Sequence, residues 1–81
     1  MTFDHALDFE SMVDIRRSLL ESMDRHSSLA NHYEGEGRVD LVEKHLTHVD
    51  MDEYHLSLWL REMTNREWWW RWYNEWYNGR R

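Results

Sequence analysis

Residues 33–38 read Tyr33-Glu34-Gly35-Glu36-Gly37-Arg38, and they divide in two a chain that otherwise offers few places to stop a helix. Two of the three glycines fall here, and the sequence has no proline. Glycine reaches positive φ without steric cost, and that is the backbone state in which many helices end. Upstream, Met12, Ile15, Leu19, Met23, His26, Ala30 and Tyr33 share one face at 100° per residue, and Phe9, Val13 and Leu20 widen it. Downstream, Val39, Val42, Leu46, Val49, Leu56, Leu60 and Met63 keep a 3-4 spacing that only Glu53 interrupts. The pattern predicts helix 1 over about 4–33, a turn at 34–37 and helix 2 over about 38–63. At 1.5 Å per residue both helices are roughly 40 Å long, so they match end to end as an antiparallel hairpin. Ser11 followed by Asp14 offers a cap for helix 1, with a start near Asp4 as the alternative. Asp50-Met51-Asp52-Glu53 resembles a capping box, which would break helix 2 near 50.

Leu29-Ala30-Asn31-His32-Tyr33, followed through Gly37 by Val42, Leu46 and Val49, resembles the turn of a tetratricopeptide repeat. The shared features are a small residue, Tyr, a turn Gly and three apolar positions in order. The resemblance spans about a quarter of the chain, and Val42 and Val49 stand where that family prefers alanine. A repeat array needs about three units, so the resemblance implies a tight turn geometry and no function.

The 81 residues are enough for one small helical domain, and a single core of that size rarely supplies more than about 3–5 kcal/mol. There is no cysteine, hence no disulfide and no Cys-based zinc site. Leu, Ile, Val and Phe total 16 residues, and six Trp, four Tyr and five Met make up the apolar complement. The fold must therefore be built on aromatics. Net charge is −6 and uneven: residues 1–60 carry 13 acids against 5 bases, residues 61–81 carry 3 acids against 5 bases. The sequence thus reads as an acidic body with a mildly basic, Trp-rich tail. No apolar run approaches the roughly 18 residues of a transmembrane helix, and no signal-peptide pattern is visible. A cytoplasmic protein with no membrane association is the expectation.

In the tail the apolar face changes sides. Continuing the core direction of helix 2 past Thr64 meets Glu67, Arg71, Asn74 and Asn78, whereas Trp68, Trp69, Trp72, Tyr73 and Trp76 point the opposite way. Trp70 and Tyr77 stay on the flank of the old face. Two arrangements satisfy this. In one, Thr64-Asn65-Arg66-Glu67 caps a third helix over about 65–78 that folds back on the hairpin. In the other, the helix runs through and presents its aromatics outward. Seven aromatics between Trp68 and Tyr77 are more than a two-helix groove can bury, because each Trp or Tyr carries roughly 150–250 Å² of surface. Patches of that size mark interfaces, and Trp, Tyr and Arg dominate binding hot spots.

The expected fold is therefore all-α: a long antiparallel hairpin with an aromatic-rich C-terminal helix, expected to form a homo-oligomer. The expected function is that of a non-enzymatic protein-interaction module, an inhibitor or adaptor binding a partner protein or itself. The anchors are Trp59, Trp68, Trp69, Trp72, Tyr73 and Trp76, with Arg66 and Arg71 pairing with carboxylates. Small acidic cysteine-free helical chains of this kind resemble viral and phage host-takeover factors. The bland alternative is that the Trp cluster only fills a core. A second functional reading uses the same Arg/Trp segment to stack bases and pair phosphates of a nucleotide or single strand. Few bases and an acidic body weigh against it, and against a membrane interface.

No cofactor or metal is expected. His45, His48, Asp52 and His55 lie on one side of helix 2, but their axial spread of about 15 Å is too great for one ion. A solvated histidine flank is the simpler reading. His26 falls on the core face of helix 1, where a bond to a carboxylate would satisfy it. No phosphate loop, thiol nucleophile, Gly-x-Ser-x-Gly elbow or His-Glu-x-x-His motif is present, and no enzyme is expected.

Overall fold

The computed structural model describes residues 3 and 6–75, together with the helical backbone of 76–79. The fold is all-α, in the order α1 (Phe9–Gly35), α2 (Val39–Asn65) and α3 (Trp69–Gly79). Helices α1 and α2 have 27 residues each and pack against one another as the expected hairpin. None of the helices among the described residues is long and apolar enough to cross a membrane.

Helix α1 starts at neither Asp4 nor Ser11. Asp8 has extended backbone angles and occupies the N-cap, where its carboxylate accepts the Ser11 amide at 2.8 Å. Hydrogen bonds from Ser11, first its hydroxyl and then its amide, hold the Asp8 carboxyl below its ordinary pKa. The Asp50–Glu53 box does not interrupt α2. No glycine or proline stands there, and the apolar spacing resumes at Leu56, so continuing the helix is the better solution.

Both helices end in the same way. At the end of α1, Gly37 has φ 72°. Its amide donates to Glu34 O, and the Arg38 amide donates to Tyr33 O at 3.0 Å. At the end of α2, Glu67 has φ 58°. Its amide donates to Thr64 O at 3.0 Å, and the Trp68 amide donates to Met63 O at 2.9 Å. Each is a Schellman ending, with the left-handed residue just past the cap. The chain therefore breaks after Thr64, but not through the expected capping box. The Thr64 hydroxyl bonds back to Leu60 O at 2.9 Å inside α2, and Glu67 is the turning residue. Helix α3 consequently begins at Trp69 and folds back over the end of the hairpin.

The core is concentrated at that end. Phe9, Met12, Trp59 and Met63 form a buried cluster, with Phe3, Leu7, Trp68, Trp69 and Trp72 packed against it. Across the hairpin, the Trp59 indole N–H donates to Met12 O at 2.6 Å. Toward the Gly37 turn the buried hydrophobic residues are only Leu19 and Ala30 among the described residues. The 3-4 stripe on α2 is split: Val42, Val49, Leu56 and Met63 turn inward, while Val39, Leu46 and Leu60 are exposed. One facing helix covers only half of a seam that wide.

Candidate functional site

Because α3 folds back, the predicted anchors separate into inner and outer sets. Trp59 is 3% exposed and belongs to the core, not to a binding surface. Its spacing from Leu56 and Met63, three and four residues, carried that signal. Trp72 meets the Trp59 ring edge-on at 5.6 Å, and the Arg16 guanidinium lies 5.0 Å from its centroid. Trp68 is half-buried and sits edge-on against Phe9 at 6.0 Å.

The arginines are engaged within the chain. The Arg66 side chain is only 12% exposed; it donates to Glu62 at 2.8 Å and to Leu7 O at 2.7 Å, and lies over the Trp68 ring. Its role is to tie the segment before α1 to the end of α2, so it is not a surface donor. Arg71 lies 4.2 Å from the Phe9 centroid, 3.2 Å from Glu75 and 3.7 Å from Glu10. It fastens α3 to the start of α1 while remaining half exposed. Such a contact of a guanidinium with an aromatic face contributes roughly 0.5–1 kcal/mol at an exposed site.

The outer set is a short aromatic ridge. Trp69 is half-buried, Trp70 is 58% exposed and Tyr73 is 42% exposed. The Trp69 and Trp70 rings lie 4.0 Å apart, and Tyr73 meets Trp70 edge-on at 6.4 Å. Trp70 was not among the anchors expected from sequence, because the wheel of a continuous helix leaves it on a flank. The break at Glu67 reorients α3 and turns Trp70 outward. The Trp76 side chain lies outside the described residues.

Three of the six histidines converge elsewhere, in the middle of the hairpin. His26 of α1 stacks on His48 of α2 at 4.6 Å and on His45 at 5.1 Å, and Tyr33 stacks on His45 at 5.6 Å. His26 Nδ1 and His45 Nδ1 share a hydrogen bond of 2.9 Å, so at least one ring accepts in neutral form. The expected carboxylate partner of His26 is therefore replaced by another imidazole. Desolvation, then His48, His45 and Arg25, push the His26 pKa below its ordinary value, and Asp52 opposes them. Asp52 Oδ2 is buried with no hydrogen-bond partner among the described residues. Among those residues no three His, Asp or Glu side chains are placed to hold one metal ion.

No protein-family model matches the chain, and neither a curated protein nor a solved structure matches it.

Proposed function

We propose that the chain is a non-enzymatic protein-interaction module, an inhibitor or adaptor, that binds a partner protein or a second copy of itself through the outer face of α3. The observation that supports this is the ridge of Trp69, Trp70 and Tyr73. Two large aromatics remain substantially exposed although core residues lie within the same helix. Aromatic surface of this kind supplies contact area at low conformational cost, and it gathers at interface centres. The nucleic-acid reading gains nothing from the geometry. Arg66 is held by Glu62 and Leu7 O, and Arg71 lies between Glu10 and Glu75. Cations already facing carboxylates are poor phosphate ligands.

The test compares the full chain with a Trp70→Ala, Tyr73→Ala double variant, using light scattering after size exclusion over a range of concentrations. Both proteins also serve as bait for capture of partner proteins. Either loss of self-association or loss of a captured partner in the variant supports the ridge as the binding face. Equal mass and equal capture for the two proteins would remove it.

A further inference from the structure

The half-used seam of α2 is a second surface, independent of the α3 ridge. Val39, Leu46, Glu53 and Leu60 recur every seven residues, and Val42, Val49, Leu56 and Met63 recur three residues later. That is the a/d spacing of a coiled-coil seam, of which α1 covers only one line. The second line faces α1, whereas the first is exposed, by 66% at Val39, 48% at Leu46 and 53% at Leu60.

Two apolar clefts mark the ends of the exposed line. Near the turn, Val39, Val42 and Leu46 line a cleft of about 310 Å³, with Glu34 and the Asp40-paired Arg38 at its rim. Near α3, Leu20, Leu56, Leu60 and Trp72 line another of about 350 Å³, at whose edge Arg16 is held over the Trp72 ring. Leu46 and Leu60 are fourteen residues apart, or about 21 Å along the helix. Between and beside them stand Glu43, Asp50 and Glu53, with Arg61 just past Leu60, all exposed and without an ion-pair partner among the described residues, so that the middle of the stripe is acidic.

We infer that this face takes a basic amphipathic helix of a partner protein. Such a helix would place apolar anchors about 21 Å apart in the two clefts and a Lys or Arg between them, opposite Glu53. A second copy of this chain fits less well. Laid on the seam in either direction, it gathers Asp50 and Glu53 of both copies near the middle, in a chain whose net charge is already −6. Like charges brought together on a desolvating surface oppose association.

The probe is a labelled amphipathic Leu/Lys helical peptide of about 21 residues, matched to the stripe length. A twin carries Glu in place of Lys. Fluorescence anisotropy with the full chain should show binding of the Lys peptide and not of its twin. Leu46→Ser should weaken that binding roughly ten- to hundredfold, the value of one lost buried Leu. Glu53→Lys should weaken the Lys peptide and improve binding of the Glu twin, while the Trp70→Ala, Tyr73→Ala variant should bind as the parent does. Five results would overturn the inference, four of them outright. Those four are binding of neither peptide, equal binding of both, Lys-peptide binding indifferent to Leu46→Ser, and a dimer of the parent chain that Leu46→Ser dissociates. Loss of peptide binding in the Trp70/Tyr73 variant would move the peptide onto α3, overturning this proposal while leaving the ridge as a binding face.

Discussion

Two turns bracket α2, and they have the same backbone geometry on different chemistry. Gly37 and Glu67 both adopt positive φ, and the same pair of hydrogen bonds closes each turn. Glycine takes that conformation freely, whereas an L side chain meets roughly 1–2 kcal/mol of steric opposition. Something other than the turning residue must hold the second turn. The structure supplies it immediately downstream: Trp68 packs on Phe9, Trp72 packs on Trp59, and Arg66 reaches Leu7 O. The first turn is thus written into the backbone, and the second is imposed by the core it closes.

If that contrast is right, removing the core should undo the second turn more than any change at the turn itself. Trp59→Ala deletes a buried indole and its bond to Met12 O. Truncations of this kind cost about 3–5 kcal/mol, comparable to the whole stability of a domain this small. Urea unfolding followed by far-UV circular dichroism should show the cooperative transition lost or moved to much lower denaturant. A loss below about 1 kcal/mol would mean that α3 and the cluster beneath it contribute little.

The turns themselves can be set against each other with two single substitutions of opposite sign. A Cβ at Gly37 meets nothing within 4 Å, so Gly37→Ala tests backbone strain alone. It should destabilise by about 1 kcal/mol. Glu67→Gly relieves the corresponding strain and should stabilise by roughly 0.5–1 kcal/mol, the gain being reduced by the extra freedom of glycine when unfolded. Matching signs from the two substitutions in urea titrations would contradict the assignment of one turn to sequence and the other to packing.

The same contrast explains what could be read from the sequence. The hairpin was legible because its three determinants are local or periodic: the Gly35/Gly37 pair, the 3.6-residue pattern before it and the 3-4 pattern after it. The break before α3 was legible as a change of apolar side, but its mechanism was not. Glu67 has no intrinsic preference for a left-handed backbone, and Thr64 looks like a cap until its hydroxyl is seen bonded to Leu60 O. The aromatic segment was recognisable as a whole, yet its division into core and surface was not. That division depends on how α3 is turned about its axis once the helix is broken, which set Trp72 against Trp59 and left Trp70 outside. The carboxylate pairing of Arg66 was legible and is found with Glu62, four residues away, but its second partner was not, because Leu7 O lies 59 residues away and in no helix.

Between the two turns lies a stretch held by neither glycine nor a dense core, and there protonation has the most leverage. His26 faces His45, His48 and Asp52 from α2, with Arg25 adjacent on α1. Its folded pKa lies below the ordinary imidazole value, so between those two values the unfolded chain holds the proton more readily than the folded one. This contribution to stability is fully present above about pH 6.5 and declines as pH falls toward the lower, folded value. The Asp8 cap behaves as a depressed carboxyl, present above its ordinary pKa and lost only in stronger acid. A comparison at pH 7.5 and pH 5.5 therefore isolates the histidines from the cap. The urea midpoint of the parent should be lower at pH 5.5. In His26→Phe, which keeps a flat ring at the stack but cannot take up a proton, the difference should shrink. An undiminished difference in that variant would show that the proton is felt elsewhere in the chain. It would also leave the middle of the hairpin indifferent to pH.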